Sequence, residues 1–183
     1  MHRLVILMIP ILALTASCGG PIETRIQTEA AAALPAQKQY SFTAKPEQNS
    51  KTYDKARNLV AQALTGKNFV AVESASVIVH IALANRPASI AMTTGEKENI
   101  VRIADQKEQK FLQSCEDFEH RLTINMINST NGSTLYSGTA AEYHCNGTFD
   151  QSLPHLIDAA LSDLGGASAK PPNSRIRIRT GIE

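Results

Sequence analysis

Apolar and polar residues alternate with different periods along the chain, and each period predicts an element. From Ser50 to Gly66, Tyr53, Ala56, Leu59, Val60, Ala63 and Leu64 recur at helical spacing. Lys51, Asp54, Lys55, Arg57 and Gln62 fill the other positions. This is an amphipathic helix, with Ser50 placed to cap it and Gly66 to stop it. The stretch "SVIVHIAL" then puts Val77, Val79, Ile81 and Leu83 on one side of a β-branched strand that ends near Pro87. Phe118, His120, Leu122, Ile124 and Met126 alternate with Glu119, Arg121, Thr123 and Asn125, which predicts a half-buried antiparallel strand. Asn131-Gly132 is a hairpin turn signal, and "LYSGTAAEYHC" returns as the second strand. Leu153, Leu156, Ile157, Ala160, Leu161 and Leu164 form the stripe of a second helix. Asp150 or Ser152 caps its start, Pro154 lies in its first turn and Gly165 closes it.

The weaker patterns fill the gaps. "QYSF", near Tyr40 to Thr43, reads as a short strand. Residues 89–104 hold two short strands around "TGEKEN", and "DQKEQKFLQ" is a polar loop or helical turn. Residues 18–39 mix Gly, Pro, Ala and polar residues and read as a tether. Residues 167–183 read as a flexible basic tail ending in "RIRIR", with Arg175, Arg177 and Arg179 on one side if extended. Such a tail can add to a sheet edge, of a partner or of this domain, or touch anionic headgroups and glycan phosphates. The folded part is then residues 40–166. Strands and helices in this order predict an α+β two-layer sandwich, a mixed or antiparallel sheet with two helices packed on one face.

The start of the chain is an address. Arg3 precedes an apolar run from Leu4 to Leu14, broken by Pro10 and followed by Thr15, Ala16 and Ser17. This is the layout of a secretory signal peptide, and the run is shorter than the ~20 apolar residues a spanning helix needs. Ala16-Ser17-Cys18 resembles the lipobox of bacterial lipoproteins, with Thr15 where that motif usually has Leu. The resemblance implies a signal peptide over residues 1–17 and acylation of Cys18, with palmitate among its acyl chains. It places the protein in the bacterial envelope, facing the periplasm. Gly19, in place of the Asp that retains lipoproteins at the inner membrane, favours the outer membrane.

Composition narrows the function. With 18 basic and 17 acidic residues the formal net charge is +1, which argues against nucleic acid as a partner. There is no Trp, and aromatics are 5%, which weakens stacking surfaces for bases or sugars. With Cys18 acylated, Cys115 and Cys145 form an even pair in an oxidising compartment, and a disulfide between them fits the base of the hairpin. Placing the two cysteines opposite each other sets His120 against Ala140. His144 then lies about 13 Å further along the strand, too far to share a metal with His120. No metal or cofactor motif and no G-x-S-x-G elbow is present, so neither a cofactor nor a catalytic residue is assigned. The candidate binding residues are Glu116, Asp117, Glu119 and His144 near the hairpin base, and Arg175, Arg177 and Arg179 in the tail.

"QYSF", "SVIVHIAL" and "LTINMINSTNGSTLYSG", in this order after a lipobox, resemble the bacterial envelope lipoproteins grouped as domain of unknown function 4136. The resemblance spans about Tyr40 to Leu164. In that family an aromatic residue after the turn precedes a small residue and Gly, here Tyr136-Ser137-Gly138. It implies an α+β sandwich and brings no activity. Three functions follow as expectations: a non-enzymatic, membrane-anchored module binding an envelope protein or glycan; a small periplasmic hydrolase or ligand-binding protein working at the Glu116, Asp117, Glu119 and His144 corner; or a structural lipoprotein.

Overall fold

A computed structural model describes residues 20–44, 46, 50–95, 101–109, 113, 115–165 and 170–181. The signal peptide and Cys18 lie outside the described residues. The elements are β1 (Ile22–Ala30), β2 (Gln39–Phe42), α1 (Lys51–Gly66), β3 (Val70–Ala71), β4 (Val77–Pro87), β5 (Met92–Thr94), β6 (Val101–Ala104), β7 (Phe118–Asn128), β8 (Thr134–His144), α2 (Phe149–Ala160) and β9 (Lys170–Arg179). One mixed sheet runs β3-β2-β4-β7-β8-β1-β9, and β5 and β6 form a separate ribbon. The β2–β3 and β2–β4 pairs are parallel, and every other pair is antiparallel. Both helices pack on one face, giving the expected α+β two-layer sandwich.

The core is the set of alternating positions on that face. Val77, Val79 and Ile81 of β4, Leu122, Ile124 and Met126 of β7 and Ile26 of β1 meet Tyr53, Val60 and Leu64 of α1 and Leu153, Leu156 and Ile157 of α2. Each fully buried aliphatic side chain contributes roughly 1.5–3 kcal/mol through the area it removes from water. Ser50 caps α1 by accepting from Tyr53 N–H at 3.1 Å. The cap of α2 is Thr148, earlier than expected, and Thr148 N–H donates to Gln151 Oε1 at 2.7 Å. Pro154 therefore falls in the second turn and removes the N–H that would bond Asp150 C=O. Lys55 Nζ of α1 donates to that carbonyl at 3.3 Å and to Asp150 Oδ2 at 3.2 Å, so the gap becomes a helix–helix contact.

Three expectations are corrected. Residues 22–30 are not tether but an interior strand, hydrogen-bonded to β8 on one side and β9 on the other. Ile22, Thr24, Ile26 and Thr28 alternate inward there, a period of two that the surrounding Gly, Pro and Ala obscure. Residues 170–179 are not a flexible tail but the edge strand of the same sheet, adding to this domain's own edge. The hairpin register is shifted by two: Leu122, not His120, faces Ala140, and His120 faces Glu142. One of the two residues comes from an irregularity between Met126↔Tyr136 and Ile127↔Thr134, where Leu135 and Tyr136 are both buried, and the other from the turn, which pairs Ile127 with Thr134.

Candidate functional site

Two buried polar clusters lie on opposite faces of the sheet. The first lies under α2. The register places Glu142 opposite His120, its side chain meets Thr24 of the neighbouring β1, and His144 follows two residues later on the same face. The His120 and His144 rings stack at 4.7 Å, correcting the separation expected from the sequence, and Phe149 tilts against His120 at 5.0 Å. Ser152, on the inward face of α2, sits between the two imidazoles, 2.8 Å from His120 Nδ1 and 3.0 Å from His144 Nε2. His144 Nε2 is also 3.0 Å from Glu142 Oε2. A carboxylate only accepts, so the proton sits on His144 Nε2 and the Ser152 hydroxyl donates to His120 Nδ1. Thr24 Oγ1 donates to Glu142 Oε1 at 2.5 Å, and Arg179 donates to both carboxylate oxygens at 3.2 and 2.8 Å.

The electrostatics follow from these partners. Burial pushes the Glu142 carboxyl up, but hydrogen bonds from His144, Arg179 and Thr24 outweigh it and hold it at about 2. Burial, with the neighbouring His144, lowers His120 to about 4 against the pull of Glu142, so its imidazole is neutral above that pH. Serine, histidine and glutamate are within hydrogen-bond reach, yet they are not arranged as a hydrolytic triad. A triad uses opposite ring nitrogens for the nucleophile and the orienting acid. Here Ser152 and Glu142 meet the same nitrogen of His144, and Ser152 is fully buried. A cavity of about 350 Å³ opens beside the cluster, touching His144, Gln151, His155, Asp158, Arg177 and Arg179. Its arginines are matched, Arg177 by Asp158 at 2.6 Å and Arg179 by Glu142.

The second cluster is on the face away from the helices. Glu119 of β7 is fully buried, and three guanidiniums converge on it. Arg121 bonds Oε1 at 2.6 Å, Arg86 bonds Oε2, and Arg25 Nη2 stands 3.6 Å from Oε2. Arg86 also donates to the carbonyls of Pro87, Ile90 and Asp105, which pins the segment around β5 and β6 over this corner. Arg25 donates to Tyr143 Oη at 2.8 Å and lies 4.0 Å from the centre of that ring. Lys107 pairs with Asp117 at 2.5 Å. Among the described residues, Arg25 Nε, Arg25 Nη2 and Arg86 Nε are buried with no hydrogen-bond partner.

The candidate residues therefore separate. His144 and Arg179 share one cluster through Glu142, while Glu119 lies on the other face and Glu116 is exposed. Asp117 is held by Lys107 rather than aimed at His144. The corner of Glu116, Asp117, Glu119 and His144 does not exist as one site. Arg175 pairs with Asp163 at 2.7 Å, so Arg175, Arg177 and Arg179 each tie β9 to a carboxylate on the helix side. Cys115 and Cys145 stand at disulfide distance, with Cα atoms 5.6 Å apart. Sequence reasoning missed Ser152, Thr24, Arg25 and Arg86. Arg86, next to Pro87 at a strand end, carried a signal: a cation closing a mostly apolar strand needs a partner wherever it is buried.

Among the described residues no group of three or more His, Cys, Asp or Glu is disposed to hold a metal, and no helix is long and apolar enough to cross a membrane. No family model and no curated protein matches the chain. Among solved structures, a PelC dodecamer from Paraburkholderia phytofirmans is similar at 13% identity and a TM-score of 0.46, covering 76% of this chain and 95% of that one. A PDZ domain protein from Parabacteroides distasonis is similar at 11% identity and a TM-score of 0.49, covering 84% of this chain and 39% of that one.

Proposed function

We propose that this protein is a non-enzymatic binding module of the bacterial envelope, held at the membrane through an acylated Cys18 and taking an envelope protein or glycan as partner. The observation that supports the non-enzymatic reading is the closed state of the Ser152, His144 and Glu142 cluster. Every member is bonded internally, and one nitrogen of His144 serves both neighbours. The base that accepts from Ser152 is His120 Nδ1, a buried imidazole held down to about 4 and therefore a poor proton acceptor near neutrality. The anchor rests on Ala16-Ser17-Cys18 after an apolar run.

The hydrolase reading has one observation in its favour, the hydrogen-bond distances themselves, and the same experiment separates the two. The full chain, purified from membranes in mild detergent, is analysed by mass spectrometry and assayed against a panel of activated esters beside Ser152→Ala. The expected result is a mature N-terminus at Cys18 carrying acyl chains, and ester turnover equal in both proteins. An unmodified N-terminus elsewhere sinks the anchor. Turnover abolished by Ser152→Ala sinks the non-enzymatic reading.

A further inference from the structure

The arginine cluster on the open face is out of balance. Arg25, Arg86 and Arg121 share the single carboxylate of Glu119. The neighbouring charges do not correct this, because Lys107 is matched by Asp117 and Asp105 by Arg102 at 3.0 Å. Arg86 and Arg121 are largely buried and Arg25 is 31% exposed, so water offsets only part of the excess, and partly buried positive charge in surplus favours an anion. The donors are also in surplus: Arg25 keeps Nε and Nη2 unbonded among the described residues.

Arg25 and Arg121 line a cavity of about 230 Å³ between the sheet, β6 and β9. A second cavity of about 280 Å³ continues from it along the same face and shares Gln27, Thr139 and Ser174 with it. The two make one groove, with the Arg25 and Arg121 guanidiniums and the Arg102-paired Asp105 at one end, amide and hydroxyl groups along its length, and the Glu29 carboxylate at the far end, away from the guanidiniums. Gln27 and Ser174 are exposed and Thr139 half-buried, so the polar floor is open to a ligand.

We propose that this groove binds an acidic saccharide. Its oxyanion, a carboxylate or a phosphate, is seated on Arg25 and Arg121, and its hydroxyl-bearing ring lies over Gln27, Thr139 and Ser174. Guanidinium groups match the planar fork of an oxyanion and bind it bidentately. The ring needs hydrogen-bonding partners rather than an aromatic platform, which suits a chain without Trp. This names the ligand class for the binding-module reading and depends on that reading only for where the ligand comes from.

The test is calorimetric titration of the purified full chain with glucuronate, glucose phosphate, inorganic phosphate and glucose. Saturable binding of glucuronate or glucose phosphate is expected, with glucose silent and inorganic phosphate weaker than the sugar phosphate. The tighter of the two sugars distinguishes a carboxylate source from a phosphate source. Arg25→Gln, which leaves Glu119 with Arg86 and Arg121, should weaken binding about tenfold or more. Gln27→Ala, at an exposed position, should weaken the sugars and leave inorganic phosphate unchanged. No saturable binding of either acidic sugar, or equal binding by the Arg25→Gln protein, overturns the site. Inorganic phosphate binding as tightly as glucose phosphate overturns the saccharide part. Neither result bears on the N-terminus or on ester turnover, so failure here and failure of the anchored-module reading are told apart.

Discussion

The two faces of the sheet solve the same problem differently. Under α2, Glu142 has a partner for each oxygen, and the chain His120, Ser152, His144, Glu142 passes one hydrogen bond to the next. On the open face, Glu119 is shared among three arginines and donors are left over. Both clusters are buried, so burial alone does not mark a site. The balance of donors and charges does: the closed cluster holds the helix to the sheet, and the unbalanced one has capacity for a ligand.

The largest effect should come from removing the carboxylate of the unbalanced cluster. Glu119→Gln leaves three guanidiniums facing one another, with a loss of about 3–5 kcal/mol in denaturant unfolding. An oxyanion that enters the groove should restore part of that loss, so phosphate should raise the midpoint of Glu119→Gln more than that of the wild type. Equal shifts in both proteins would argue that the arginines are satisfied without a ligand.

Acid should open the closed cluster. His120 moves from 6.5 to about 4 on folding, so between those values the unfolded chain binds a proton that the folded chain does not. Stability from this group is complete above about pH 6.5 and is lost as the pH falls to 4, by roughly 3 kcal/mol at most. Glu142 moves from 4.5 to about 2, and its contribution, present above 4.5, is lost as the pH falls through that lower window. Unfolding free energy should therefore decline in two stages below neutrality. His120→Gln should flatten the upper stage and leave the lower one.

The seat of α2 is set by one glycine. A Cβ on Gly138 would stand 2.0 Å from the Ala160 carbonyl oxygen, which also accepts from Tyr136 Oη at 2.6 Å. Gly138→Ala must push the end of α2 off β8, at about 1–3 kcal/mol. Because Ser152 rides on that helix, the pH dependence of the upper stage should weaken as well. Retention of both stability and pH profile would show that α2 can shift without disturbing the histidines.

These contrasts also show what the sequence could carry. Both helices, the β4 core positions and the hairpin were legible because their periods are long and unbroken, as in Val77 to Leu83 and Phe118 to Met126. Strand β1 was hidden because its inward positions include Thr24 and Thr28, whose polarity breaks the apolar pattern. Their hydroxyls are spent on Glu142 and Asp163. Strand β9 was hidden because its arginines face inward toward Asp158, Asp163 and Glu142 and its isoleucines face outward, inverting the usual rule. The pairing of Glu119 with Arg25 reaches across β8 from β7 to β1, between residues 94 positions apart in the chain, and no local pattern reports contacts of that kind.

The smallest effect tests the hydrogen-bond chain itself. Ser152→Ala removes the hydroxyl that donates to His120 Nδ1 and leaves that nitrogen buried without a donor. The cost should be about 1–2 kcal/mol, well short of Glu119→Gln, because a neutral acceptor is stranded rather than a set of charges. Losing the hydroxyl removes a bond that only neutral His120 accepts, so His120 should titrate at a higher pH in the variant. That shift is measurable from the ring-proton chemical shifts. An unchanged His120 titration would mean that burial and His144 alone keep the imidazole neutral, and that Ser152 fills space between the rings without setting their charge.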